Sequence, residues 1–200
     1  MNKKFESEVR IRIKNINDFL KKLLKFNAKI IYEYIFTDHI YIPKNPTSNW
    51  DPNKKIMRIR EHILPDNYSR ILFTENDIIL GKTFQFKQSK YPQGKIELYR
   101  GDKKTAKTLL LAWDFQPLYK IEKTDGKLYE IKYNQKFIIA VEAIAQIGYS
   151  AEIELWGKNL NTIEREFLEI IDLLGIPITA VTSNTLPYIV AEHLGLVEKN

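Results

Sequence analysis

The stretch Phe5-Glu6-Ser7-Glu8-Val9-Arg10-Ile11-Arg12-Ile13 alternates charged residues with apolar or small ones, and a β-strand turns successive side chains to opposite faces. Glu6, Glu8, Arg10 and Arg12 therefore share one face, and Phe5, Val9, Ile11 and Ile13 the other. A single strand of this kind reads as the wet side of an antiparallel sheet. The device returns four times, around Arg58 and Arg60 in 54–61, Gln85 and Lys87 in 83–88, Lys95, Glu97 and Tyr99 in 95–100, and Ser150, Glu152, Glu154 and Trp156 in 149–156. The first and last of these strands carry Glu-x-Glu, whereas those between carry Arg-x-Arg and lysines.

In an open sheet these would be scattered surface charges. In a closed barrel the same faces converge on a lumen, because interior and exterior residues alternate along every barrel strand. The apolar faces then point outward and need cover, which helices expected at 16–27, 103–113 and 162–174 can give. Burying many charges is costly unless ligand charges of opposite sign match them. A lumen of this composition makes chemical sense as a site for metal and polyphosphate.

The remaining elements follow from local signals. Asn15 and Asp18 offer caps for the first helix, and 29–42 is β-branched and aromatic enough for a strand. The span 43–53, with three prolines, reads as a loop. A strand over 69–74 ends at a Glu75-Asn76-Asp77 turn, and a hairpin connection at Tyr91-Pro92-Gln93-Gly94 joins 83–88 to 95–100. Three successive strands are expected at 118–123, 127–133 and 136–142, broken by Asp125-Gly126, a tight-turn pair, and by Asn134-Gln135. Gly175 stops the third helix, and a last helix is expected near 186–194.

Two hundred residues suit one domain spanning 1–200. The chain has no cysteine and three scattered histidines, so any metal is held mainly by oxygen, as suits Mg²⁺, Mn²⁺ or Ca²⁺. His39 reads as a structural strand histidine. A net charge of +6 favours anionic partners, but bases interleaved with acids lack the single basic, aromatic stripe of a nucleic-acid binder. No apolar run is long enough to cross a bilayer, and Asn2-Lys3-Lys4 leads into a charged strand unlike a secretory signal. The expected location is cytoplasmic, with no membrane partner and a monomer or homodimer as the expected state.

Taken in order, Glu6-Ser7-Glu8-Val9-Arg10, Met57-Arg58-Ile59-Arg60, Phe84-Gln85-Phe86-Lys87 with Lys95-Ile96-Glu97, Phe115-Gln116-Pro117 leading to Ile121-Glu122-Lys123, and Ile147-Gly148-Tyr149-Ser150-Ala151-Glu152-Ile153-Glu154 resemble the CYTH superfamily. These are the triphosphate tunnel metalloenzymes, which include class IV adenylate cyclases and thiamine triphosphatases. The resemblance spans about residues 5 to 190. It implies an α+β fold: a closed eight-stranded antiparallel β-barrel with helices packed outside, holding a triphosphate and one or two divalent cations, Mg²⁺ or Mn²⁺.

Carried over by position, Glu6, Glu8, Glu152 and Glu154 match metal-binding acids, with Glu97 a further candidate. Arg58, Arg60, Lys87 and Lys123 match triphosphate-binding bases, joined on the first strand by Arg10 and Arg12, and Glu6, Glu8 and Arg10 stand where catalysis is expected. There are departures. Arg10 replaces a lysine, Asp125 stands where an arginine is expected after Lys123, Ala140 or Val141 stands where an aspartate is common, and Ser183 and Tyr188 only loosely echo a Ser-Tyr pair. Lys82 competes with Lys87 for one position, because the connection after Arg60 is long. The expected function is metal-dependent hydrolysis of a small-molecule triphosphate, such as tripolyphosphate, a nucleoside triphosphate or thiamine triphosphate. The alternatives are a class IV-type cyclase making cyclic AMP and pyrophosphate from ATP, and a non-catalytic polyphosphate or nucleotide binder.

Overall fold

The computed structural model describes residues 5–46, 50–83, 85–132, 136–157 and 159–197, without the side chains of Phe5, Glu6 and Lys136. Its strands are β1 (Phe5–Arg12), β2 (Lys29–Pro43), β3 (Lys55–Leu64), β4 (Tyr68–Leu80), β5 (Gln85–Ser89), β6 (Ile96–Gly101), β7 (Phe115–Lys132), β8 (Lys136–Ile144), β9 (Gly148–Gly157) and β10 (Val181–Thr182). Helices α1 (Ile16–Lys25), α2 (Lys103–Ala112), α3 (Leu160–Leu173) and α4 (Leu186–His193) complete the fold. No helix among the described residues is long and apolar enough to cross a membrane.

Eight strands close in the order β1-β5-β4-β3-β2-β7-β8-β9, and β9 returns to β1. That last seam runs from Phe5 opposite Gly157 to Arg12 opposite Ser150, placing Glu8 beside Glu154 and Arg10 beside Glu152. On its other edge β1 meets β5 at Glu8 and Lys87, and β10 at Arg10 and Ile11. All these pairings are antiparallel. Closure turns the shared charged phase into a lumen.

The apolar phase points out, as the alternation requires. Val9, Ile11, Ile139, Ile153 and Leu155 form one core with Phe19 and Leu23 of α1 and Ile163, Phe167 and Ile170 of α3. Met57, Ile59 and Ile71 pack against Ala106 and Leu110 of α2. The third core is different: Ile40, Ile56, Ile121 and Ile144 lie in phase with the charged positions and meet Leu186 and Val190 of α4. One end of the barrel is thus apolar inside and closed by α4. Side-chain caps start each helix, from Asn15, Asp102, Asn159 and Thr185.

Three local expectations are corrected. β7 runs unbroken through Asp125-Gly126, with a register shift between Lys123 and Asp125. Gly126 is needed there because the Tyr34 ring lies where a Cβ would stand, so the glycine serves close approach and makes no turn. β4 likewise continues through Glu75-Asn76-Asp77, where Asn76 and Asp77 pair with β5. β5 and β6 form no hairpin: both pair with β4, β5 along 76–80 and β6 along 69–73. Residues 90–95 interrupt what is otherwise one long neighbour of β4, with Gly94 at a φ of 75°. Lys82 is exposed and its backbone N–H donates to Glu164, 2.9 Å away, which leaves Lys87 as the lysine that faces inward. Phe84 and Asn134-Gln135 lie outside the described residues.

Candidate metal and polyphosphate site

The lumen holds a cavity of about 240 Å³ bordered by Glu8 and Arg10 of β1, Arg58 and Arg60 of β3, Lys87 of β5, Lys123 of β7, and Glu152 and Glu154 of β9. The strand period alone aims these side chains inward, and the seam between β1 and β9 gathers the acids. Carboxylate oxygens of Glu8, Glu152 and Glu154 lie within 4.8 Å of one another. Glu6 sits on β1 opposite Trp156, and its side chain is outside the described set.

Among these acids stands Lys87, 3% exposed, ion-paired with Glu8 and 3.5 Å from Glu152. Burial pulls its ammonium down, but Glu8 and Glu152 overcome that and raise it. Arg10, also 3% exposed, pairs with Glu152 and donates through Nη1 to Ser150 at 2.9 Å and Glu142 at 3.2 Å. Glu152 would be driven up by burial, yet Arg10, Lys87 and Lys123 hold it well below the usual carboxylate range. Glu152 is therefore ionised at neutral pH, the state in which a carboxylate binds hard cations.

The basic wall is held by a second acid set. Asp38 of β2 receives Arg60 at 2.7 and 2.8 Å and stands 3.7 Å from Arg58, which donates to Thr74 at 3.0 Å. Glu142 of β8 receives Lys123, the Tyr34 hydroxyl and Arg10. Burial lowers the Lys123 ammonium despite Glu142. Burial also depresses His62, reinforced by Arg70 and Arg60, to about 4. His62 is therefore neutral and stacks on Tyr68 with ring centres 4.4 Å apart. Buried Nε atoms of Arg10 and Arg58 and Nδ1 of His62 have no hydrogen-bond partner among the described residues. Buried donors left this way are costly, and phosphate oxygens are natural acceptors for the two arginines.

Two expected site residues lie elsewhere. Glu97 of β6 accepts from Arg100 at 2.9 and 3.0 Å and from Arg70 at 3.3 Å, outside the three-acid cluster. Arg12 is exposed and borders a neighbouring groove of about 600 Å³. Asp125 faces Lys127, 2.9 Å away, so it puts no acid into the cavity. Sequence reasoning missed Asp38, Glu142 and Tyr34. The signal for Glu142 is present: it is the charge in phase with Ile138 and Ala140, and it supplies the β8 acid that Ala140 and Val141 lack.

No family model matches the chain, and no curated protein does. Solved structures do. A conserved hypothetical protein from Pyrococcus furiosus is 21% identical with a TM-score of 0.68, over 92% of this chain and 98% of that one. A candidate adenylate cyclase from Vibrio parahaemolyticus is 14% identical, TM-score 0.64, over 94% and 99%. A candidate adenylyl cyclase from Hippeastrum, described by its dominant triphosphatase activity, is 12% identical, TM-score 0.60, over 96% of each chain. The chain thus shares with these proteins one fold, which in this chain is a closed eight-stranded antiparallel barrel with helices outside.

Proposed function

We propose that the chain is a divalent-metal-dependent hydrolase of small-molecule triphosphates bound in the barrel lumen. The observation that carries this reading is the arrangement of one cavity, with Glu8, Glu152 and Glu154 on one side and Arg58, Arg60 and Lys123 on the other. Among the described residues bordering it are seven arginines and lysines and five carboxylates. That surplus of positive charge suits a polyphosphate that arrives with a cation and remains net negative.

The donor set fits a hard cation. Three carboxylates offer oxygens at mutual distances a single ion can span, and Lys87 already places a positive charge against two of them. Mg²⁺ or Mn²⁺ held by Glu8, Glu152 and Glu154 would supply charge neutralisation of the phosphate oxygens. Arg58 and Arg60 present planar forks to non-bridging oxygens, and Lys87 and Lys123 act as point charges along the chain. Phosphoryl transfer needs chiefly positioning and electrostatic stabilisation, and residues fixed by buried ion pairs provide both. Asp38 must then share its arginines with the incoming phosphate. The closed, apolar end under α4 keeps water from that side of the site.

The test is product analysis with Mg²⁺ and Mn²⁺ against tripolyphosphate, ATP, GTP and thiamine triphosphate. Orthophosphate release is expected. Cyclic AMP with pyrophosphate would assign the chain to cyclase chemistry instead, and tight binding with no product would make it a binder.

A further inference from the structure

The lumen has two unlike ends, and the difference bears on what the phosphate chain is attached to. At one end α4 is tied in place: Asn53 Oδ1 accepts from the Thr185 N–H at 3.1 Å and hydroxyl at 3.2 Å, and the Tyr119 hydroxyl donates to the Pro187 carbonyl. Leu186 and Val190 fill the opening with Ile40, Ile56, Ile121 and Ile144. The other end is bordered by aromatic rings. Tyr32, Tyr34 and Phe36, at successive inward positions of β2, form a ladder with centres 5.9 and 5.1 Å apart and planes within 29° and 15° of parallel.

The ladder starts at the phosphate-binding bases. The Arg60 guanidinium lies 3.7 Å from the Phe36 ring centre and the Lys123 ammonium 4.8 Å from it. Tyr34 is covered on both sides, and its hydroxyl is bound to Glu142. Tyr32 is different: it is 43% exposed, borders the same cavity, and makes no ring contact beyond Tyr34 among the described residues. A half-exposed aromatic face at the end of a stacked series is a platform for another ring.

Resting on the triphosphatase reading, we propose that Tyr32 is a specificity-determining residue of this site, whose half-exposed face stacks the planar ring of a ring-bearing triphosphate at the open mouth and so favours it over bare tripolyphosphate. The two ring spacings from Phe36 to Tyr32 leave room for a sugar between phosphates held at Arg60 and a ring at Tyr32. The neighbouring groove near Arg12 is a poorer place. The guanidinium of Arg10, fixed to Glu142, Ser150 and Glu152, lies in the wall the two cavities share, and no stacked ring pair borders that groove among the described residues.

The experiment is calorimetric titration of ATP and of tripolyphosphate, each with Mg²⁺, into the wild type, Tyr32→Ala and Tyr32→Phe, with gel filtration of all three. The expected result is that Tyr32→Ala weakens ATP about tenfold and tripolyphosphate less than twofold, while Tyr32→Phe keeps the ATP affinity. Equal effects on both ligands, or none on either, would overturn the proposal while leaving the triphosphate site intact. Failure of the wild type to bind either ligand would overturn the triphosphatase reading and this proposal with it. Ile30, Ile31, Ile63 and Leu64 are also exposed. A change of assembly size in Tyr32→Ala with an unchanged preference for ATP would assign Tyr32 to self-association and reject ring stacking.

Discussion

Asp38 grips Arg60 with both oxygens, accepting from Nε at 2.7 Å and from Nη2 at 2.8 Å, inside a barrel where Asp38 is only 2% exposed. Burial alone would raise this carboxyl, but Arg60 and Arg58 hold it far below the usual range. The pair fixes the two arginine forks in place before any ligand arrives. Preorganised charge of this kind costs little reorganisation when phosphate binds.

Removing Asp38 leaves two buried guanidinium groups without their counter-charge. Asp38→Ala is expected to lower stability by about 3–5 kcal/mol, the range for breaking a buried ion pair on one side, read as a reduced urea midpoint. Saturating tripolyphosphate should restore part of the loss, since it offers oxygens to the same arginines and binds only the folded state. An unchanged midpoint would show that Arg58 and Arg60 do not depend on Asp38.

Stability should fall on acidification in two stages. His62 is depressed to about 4 by burial, Arg70 and Arg60, below its value of about 6.5 in an unfolded chain. The unfolded state therefore takes up the proton first, and the contribution of neutral His62 is present above pH ~6.5 and lost as pH falls towards 4. Asp38 and Glu152, also depressed, add a second loss as pH falls from about 5. In His62→Gln the upper stage should vanish from the pH dependence of urea unfolding and the lower one remain. Retention of both stages would place the upper one in another group.

The acids divide into a cluster inside and one residue outside. Glu8→Gln, Glu152→Gln and Glu154→Gln should each lower metal-dependent orthophosphate release at least about a hundredfold, the scale seen when a group stabilising transition-state charge is lost. Glu97→Gln, whose carboxylate is held by Arg100 and Arg70, should stay within about threefold of the wild type. Loss of turnover in Glu97→Gln with retention in Glu154→Gln would reverse the assignment.

The two competing lysines give a sharp contrast. Lys87→Ala should weaken tripolyphosphate binding by about 2 kcal/mol or more, within the range for hydrogen bonds to charged groups, whereas Lys82→Ala should leave it unchanged. Titration calorimetry with both variants checks this. Equal losses would mean that Lys82 also reaches the lumen.

Much of this architecture was legible because the strand period is rigid. Once Glu8, Arg58, Lys87 and Glu152 are each placed in the charged phase of a strand, closure alone decides that they meet. What the residues concealed lay where tertiary packing overrode local chemistry. Asp125-Gly126 has the composition of a turn, but the Tyr34 ring claims the space above Gly126 and β7 continues. Glu75-Asn76-Asp77 looks like a break, yet pairing with β5 holds it extended. Asp38 was hidden because its strand otherwise reads as aromatic and β-branched. Glu97 shares the alternating pattern of the lumen acids, but β6 lies off the ring of eight strands, which alternation along one strand does not reveal.

The most direct test is Mn²⁺ binding followed by electron paramagnetic resonance, with and without tripolyphosphate, in the wild type, Glu8→Gln, Glu152→Gln, Glu154→Gln and Glu97→Gln, with circular dichroism to confirm folding. If the three acids and the basic wall share one site, the wild type and Glu97→Gln should bind Mn²⁺ and bind it at least about tenfold more tightly with tripolyphosphate present, whereas folded variants at Glu8, Glu152 and Glu154 should lose both effects. Equal Mn²⁺ binding in all five proteins, or binding indifferent to tripolyphosphate, would contradict a joint metal and triphosphate site in the barrel.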